Sequence, residues 1–305
     1  MKTYSYYPGC SLEGTAREYE ISLRAVAPLL GFRLEEMHDW SCCGSTPAHA
    51  TSHRLAVALA ARNLNLAAAH DKGPDGLAVP CAACYSRLKI AVSDLARDAK
   101  LRADTEEAMG EAWRGGAVHI MALPEILARD VGPEAIERAT VEPLNGIKVA
   151  NYYGCLLVRP PEMTGFDDPE DPQTLDEIVR ATGAEAVDWS HKVDCCGGSL
   201  SLSRTSVVSK LVADIIDAAQ IAGADCIVTA CPMCHANVDT RQPLAAKILG
   251  RRLEMPVLYI TQLLGLALGV PARQLGFRSH LTPVTSLLRK LQDRTRGRAS
   301  GEGGS

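Results

Sequence analysis

The chain has 305 residues, 47% of them apolar and 22% charged, with a formal net charge of −4. This composition supports a large buried core, and the near-neutral charge with only 5% aromatic residues excludes the basic faces and stacking platforms that nucleic-acid binding requires. Eleven cysteines without a visible secretory signal exclude a secreted disulfide scaffold; clustered thiols in a reducing, cytoplasmic setting point to metal binding or redox chemistry.

In chain order, short apolar runs at residues 3–8, 76–79 and 118–121 predict buried strands, and three-to-four spacing predicts helices over 16–30 and 53–69. Pro143, Asn145 and Gly146 then form a turn-like junction. Beyond it, strands are expected at 147–153, 226–229 and 257–260, and helices over 204–221 and 244–249. An acidic insert, Asp167-Asp168-Pro169-Glu170-Asp171-Pro172, reads as a surface loop capping a helix that begins near Thr174. The apolar run 255–272 contains Thr261, Gln262, Gly265 and Gly269 between Pro256 and Pro271, so it reads as a buried strand and helix and not as a membrane span. Leu281, Val284, Leu287, Leu288 and Leu291 have helical spacing beside Arg289, Lys290 and Arg294, an amphipathic helix suited to its own domain, a partner protein or a membrane surface; we favour the partner. A disordered tail is expected to close the chain.

The chain is written twice. Tyr6-Tyr7-Pro8-Gly9-Cys10 corresponds to Asn151-Tyr152-Tyr153-Gly154-Cys155, Ser41-Cys42-Cys43-Gly44 to Asp194-Cys195-Cys196-Gly197, and Cys81-Ala82-Ala83-Cys84 to Cys231-Pro232-Met233-Cys234. The cysteine-free segments around residues 119–127 and 258–264 match as well, so the fold is duplicated along with the thiols. The expectation is an α/β protein of two pseudo-symmetric halves from an internal duplication, each with a small mostly parallel sheet flanked by helices. The first half covers 1–143 and the second 144–272, followed by the C-terminal helix and tail at 273–305.

In each half the cysteines fall at predicted strand ends, where parallel α/β sheets gather ligands. The candidate ligands are Cys10, Cys42, Cys43, Cys81 and Cys84 in the first half, and Cys155, Cys195, Cys196, Cys231 and Cys234 in the second. A structural zinc ion is satisfied by four tetrahedral ligands. Five thiols exceed that number, and an adjacent Cys-Cys pair chelates one tetrahedral ion poorly. A multi-iron cluster offers several metal atoms to adjacent thiolates, so spacing favours iron–sulfur and leaves zinc as the alternative. Cys226, within a predicted strand, reads as core.

The arrangement Cys, Cys-Cys-Gly, Cys-x-x-Cys, present twice, resembles the CCG-domain family and within it the B-type subunits of heterodisulfide reductase. The likeness extends from Tyr6 to about Gly269 and includes Tyr7-Pro8-Gly9-Cys10-Ser11-Leu12, Phe166-Asp167-Asp168-Pro169 and Cys231-Pro232-Met233-Cys234-His235-Ala236-Asn237. The resemblance implies an oxidoreductase acting on sulfur groups, with two noncubane [4Fe-4S] clusters, each on the five cysteines of one half, and a small disulfide held between them. It also implies a ferredoxin-like C-type subunit and a flavin-bearing A-type subunit as partners, and a membrane-bound complex reached only through them. Relatives linked to quinone or fumarate make an electron relay the competing function, and a zinc-stapled scaffold is the non-redox alternative. His235, next to Cys234, is the candidate proton donor to a leaving thiolate, with Tyr85 as its counterpart; His49 and His53 lack counterparts and read as surface or packing residues.

Overall fold

The computed structural model describes residues 1–45, 47–71 and 73–301. Two four-stranded, all-parallel sheets repeat the same topology. In the first, β1 (Lys2–Tyr6), β2 (Phe32–Glu36), β3 (Leu77–Val79) and β4 (Ile120–Ala122) lie in the order β2-β1-β3-β4. In the second, β5 (Lys148–Tyr152), β6 (Glu185–Ala186), β7 (Cys226–Thr229) and β8 (Val257–Tyr259) lie in the order β6-β5-β7-β8. The register is set by pairs such as Tyr6↔Ala78 and Ala78↔Met121, matched by Tyr152↔Thr229 and Thr229↔Tyr259.

The strands β3, β4, β7 and β8 are buried along their whole length, as their unbroken apolar runs require of parallel strands covered on both faces. The six predicted strands occur within two residues of their expected bounds, whereas the edge strands β2 and β6 were not foreseen. The helix expected over 16–30 is shorter, Arg17–Val26, and ends where Ala27, Pro28 and Gly31 turn the chain into β2. The helices His53–Ala69 and Thr205–Ile221 lie where the periodicity put them. The segment from residue 255 is a strand followed by the helix Ile260–Ala267, and among the described residues no helix is long and apolar enough to cross a membrane.

Asp167 caps as expected: its Oδ2 accepts the backbone N–H groups of Gln173 (3.0 Å) and Thr174 (2.8 Å) at the start of the helix Thr174–Ala181. The C-terminal helix, Thr285–Gly301, begins beyond Leu281, which is 70% exposed and takes no part in the apolar face expected of it. Val284 and Leu287 are buried against the chain itself, and Lys290 pairs with Asp225 at 2.6 Å. The backbone is helical through residues 294–301, and the rest of the expected tail, 302–305, lies outside the described residues.

All eight tyrosines of the chain are buried, and every hydroxyl has a partner. A phenol can seal an apolar core only if its O–H is satisfied. Three of these side chains join the halves. Tyr19 stacks on Tyr259 with ring centroids 4.2 Å apart, and its hydroxyl lies 3.4 Å from the Pro80 carbonyl and 3.3 Å from that of Ala230. Tyr85 donates to the Thr164 carbonyl at 2.8 Å. Ser22 and Thr261 add a buried hydroxyl pair at 2.6 Å.

Candidate functional site

Every candidate ligand follows the carboxyl end of a strand: Cys10 after β1, Cys42 and Cys43 after β2, Cys81 and Cys84 after β3, and their counterparts after β5, β6 and β7. The CxxC motifs open the helices Ala82–Arg97 and Pro232–Thr240, whose first turns lift the second thiol of each pair toward the Cys-Cys-Gly loop. Cys43 Sγ is 3.2 Å from Cys84 Sγ, and Cys196 Sγ is 3.6 Å from Cys234 Sγ. Cys10 and Cys43 act electrostatically on Cys42, and Cys81 and Cys43 on Cys84. In the second half Cys195, Cys196 and Cys231 act on Cys155, and Cys196 and Cys231 on Cys234. Pro80 and Ala230, the residues just before Cys81 and Cys231, share the Tyr19 hydroxyl, so the two thiol groups meet at the junction of the halves.

The supporting hydrogen bonds repeat residue for residue. Tyr7 donates to the Ser41 carbonyl and Tyr152 to that of Asp194, each at 2.6 Å, and each fixes the loop just before its Cys-Cys pair. The Gly44 N–H approaches Cys42 Sγ at 3.4 Å and the Gly197 N–H approaches Cys195 Sγ at 3.3 Å, placing a donor where a thiolate would carry charge. Gly9 and Gly154 have φ of +70° and +66°; a Cβ there would lie 3.1 Å from Cys84 Sγ and 2.8 Å from Cys234 Sγ. Both positions need glycine for backbone conformation and for room beside sulfur.

The thiols differ in protonation because they share hydrogen bonds. Cys42 is pushed above the ordinary thiol range by donating to Cys43, and Cys43 is held well below it by receiving from Cys42 and Cys84. Likewise Cys155 is raised by its bond to Cys195, which falls to about 6. Five thiolates so close repel one another strongly, and only a polycationic group bridging them would let all five ionise together. Among the described residues no three His, Cys, Asp or Glu side chains are grouped as a single metal ion would need. All eleven cysteines are free thiols. The chemistry of the donor set, thiols alone and five to each half, fits an iron–sulfur group, for which thiolates are the usual protein ligands.

Cys226 is fully buried in β7 and remote from both groups in role, its thiol raised by burial. His235 is 3% exposed, stacked on Tyr259 at 4.1 Å and edge-on to His280 at 4.7 Å. Its Nε2 lies 3.0 Å from the Val257 carbonyl and so carries the proton, while burial drives its pKa down to about 3. Tyr85, its counterpart, is committed to Thr164. His49 is exposed, and His53 lies 3.5 Å from Asp94. Sequence reasoning missed Asn63, which braces the Ser41 backbone (N–H to Oδ1 2.8 Å, Nδ2 to carbonyl 3.0 Å), and Asn237, whose amide donates to the Cys196 carbonyl at 3.0 Å. The signal for Asn63 is an amide on a largely apolar helix, and that for Asn237 its place at the end of the Cys231–Asn237 motif.

Comparison with known proteins agrees with this geometry. The cysteine-rich domain CCG matches twice, over residues 4–89 and 149–239. The 8-methylmenaquinol:fumarate reductase membrane anchor subunit of Wolinella succinogenes is 34% identical over 287 residues, covering 94% of this chain and 99% of that one. The B-type subunit of the ferredoxin:CoB-CoM heterodisulfide reductase of Methanosarcina mazei is 31% identical over 303 residues, covering 97% and 99%. A hypothetical protein from Helicobacter pylori shares the fold, with a TM-score of 0.73 at 16% identity over 93% of this chain; the match spans about half (52%) of that longer structure. The chain thus belongs to the cysteine-rich CCG family, as a two-domain member resembling the B-type subunits of heterodisulfide reductase.

Proposed function

We propose that each half holds one [4Fe-4S] cluster of noncubane type on its five cysteines, and that the chain interconverts a small disulfide and its two thiols within a multi-subunit complex. One observation carries this reading: two sets of thiols with matching supports, Tyr7 and Tyr152 on the loops and Gly44 and Gly197 on the sulfurs, meet where the carbonyls just before Cys81 and Cys231 share the Tyr19 hydroxyl. Disulfide cleavage takes two electrons and releases a thiolate on each side. When bound, the clusters would supply one-electron chemistry; the chain supplies the rest. Gly44 and Gly197 donate to sulfur, Tyr7 and Tyr152 hold the Cys-Cys loops, and the apolar walls exclude water. Leu156, Met233 and the small Ala82 and Ala83 border the pocket that opens on the second thiol group, a surface suited to an uncharged sulfur compound. We assign His235 and Tyr85 to the walls, since the His235 Nε2–H and the Tyr85 O–H are both committed to carbonyls, and burial keeps the His235 ring neutral. A ferredoxin-like C-type subunit and a flavin-bearing A-type subunit are the partners this reading supplies.

The 34% relative named for 8-methylmenaquinol and fumarate supports a second reading, an electron relay to a quinone. Iron and acid-labile sulfide on anaerobically produced protein test the common ground. About eight irons per chain, with a paramagnetic signal that appears on oxidation in the presence of a thiol, is the expected result. Zinc with little iron sinks both redox readings. Electron transfer from a menaquinol, without reduction of any small disulfide by an artificial donor, overturns disulfide conversion in favour of the relay.

A further inference from the structure

The two thiol groups share a hydrogen-bond frame but differ in charge. One turn beyond Cys84 on the helix Ala82–Arg97, Arg87 is 8% exposed, and its Nε has no hydrogen-bond partner. None of the ion pairs among the described residues involves it. Its charge is felt at the Cys43 thiol and at His49. The equivalent residue of the second half, three beyond Cys234, is the neutral Asn237.

The residue before each Cys-Cys pair tips the balance the same way. It is Ser41 in the first half and Asp194 in the second. The second half has cations near its thiols too: the buried Lys192, which Asp171 at 2.9 Å and Asp176 at 3.7 Å neutralise, and the half-buried Arg241, which bonds the Asn237 amide oxygen at 3.2 Å and the Ser201 carbonyl at 2.7 Å. Lys192 corresponds to Asp39, an exposed residue paired with Arg62. The first thiol group therefore sits beside a buried positive charge with no ion-pair partner, and the second beside the Asp194 carboxylate, which faces His191 at 3.5 Å, and a half-buried guanidinium held by Asn237 and Ser201.

A centre that takes up an electron becomes more negative, so a nearby cation stabilises its reduced state and raises its potential. A buried charge acts through a low dielectric and is weakly screened; an exposed one acts less. Resting on the two-cluster reading above, we propose that Arg87 holds the potential of the first-half cluster above that of the second, with Asp194 widening the gap, so that an arriving electron settles in the first half. Arg87 acts through the field it sets, touching neither substrate nor leaving group.

The test is a potentiometric titration of the iron-loaded full chain, followed by EPR, on the unmodified protein and on R87Q, R87K and D194N. The unmodified chain should show two separate midpoints. R87Q should lower the higher one by about 59 mV or more, a tenfold change in the ratio of oxidised to reduced centre for one electron. R87K, which keeps the charge, should leave it in place, and D194N should raise the lower midpoint by a smaller amount. Coincident midpoints in the unmodified chain, or an R87Q protein with full iron and unmoved midpoints, overturn the proposal. If R87Q does not take up iron, D194N decides at an exposed position, and an unmoved lower midpoint there overturns it. Zinc in place of iron, seen in the metal analysis before any potential is read, removes the cluster reading itself.

Discussion

The two halves agree most closely at the ends of their sheets that carry sulfur and least at their edges. Tyr7 and Tyr152 make the same bond at the same 2.6 Å, and Gly44 and Gly197 approach their sulfurs within 0.1 Å of one another (3.4 and 3.3 Å). Away from the thiols the resemblance fades: β2 has five residues and β6 two, and the segment between the first cysteine and the Cys-Cys pair is eight residues longer in the second half (39 against 31 intervening residues). Constraint has been retained where backbone must approach sulfur and relaxed where strands face only water or a helix. What is shared is a sulfur cradle, and what differs is the frame around it.

The largest test of that equivalence lies at the glycines. A left-handed conformation costs a residue with a Cβ about 1–2 kcal/mol, and at Gly154 the added carbon would also press on Cys234 Sγ at 2.8 Å. G154A should lose about half of the iron of the full chain, that of one cluster, as measured by metal analysis. G9A, with 3.1 Å of clearance, should lose less. A G9A protein that loses more iron than G154A would break the comparison, because sulfur clearance would then not decide which half fails.

A smaller effect sharpens it. Y7F and Y152F each remove one buried hydrogen bond to a loop carbonyl, so each should lower stability to urea by about 1 kcal/mol, and equally. Unequal losses would show that one loop is braced elsewhere, with Asn63 the leading candidate in the first half.

A third effect exploits the imidazoles His235 and His280, packed edge to face beside the second sheet. Burial holds both below the ordinary value of 6.5, His235 at about 3. As pH falls through about 6.5 the unfolded chain gains protons that the folded chain refuses, so the stability these rings confer is complete above that pH and drains away toward about 3. The urea midpoint should fall between about pH 7 and about pH 5, and fall less in H235Q; an equal fall in the variant would place the acid sensitivity elsewhere.

Much of this was legible in the sequence because it is local. Cysteine spacing, the glycines beside Cys10, Cys155 and the Cys-Cys pairs, and the apolar runs of the central strands each declare themselves within a few residues. The edge strands β2 and β6 did not: Phe32-Arg33-Leu34-Glu35-Glu36 has three charged residues of five because one side of it meets solvent, and β6 is two residues long. Arg87 was silent for the opposite reason, since an arginine in a helix ordinarily marks a solvated face and only the packed structure shows it buried. The same holds for Tyr19, whose partners Pro80 and Ala230 are 61 and 211 residues away.

Tyr19 has a consequence for ancestry. Its hydroxyl lies between equivalent carbonyls of the two repeats, a place wide enough for one phenol. Two identical chains paired about a twofold axis would send two copies of that ring to the same spot and collide. Fusion into one polypeptide removes the obligation to be symmetric at the centre, and the chain has used that freedom to set a single keystone there. A dissected pair of halves, mixed as separate polypeptides, can rebuild this junction, with Tyr19 from one and the Ala230 carbonyl and Tyr259 ring from the other, only as a one-to-one heterodimer.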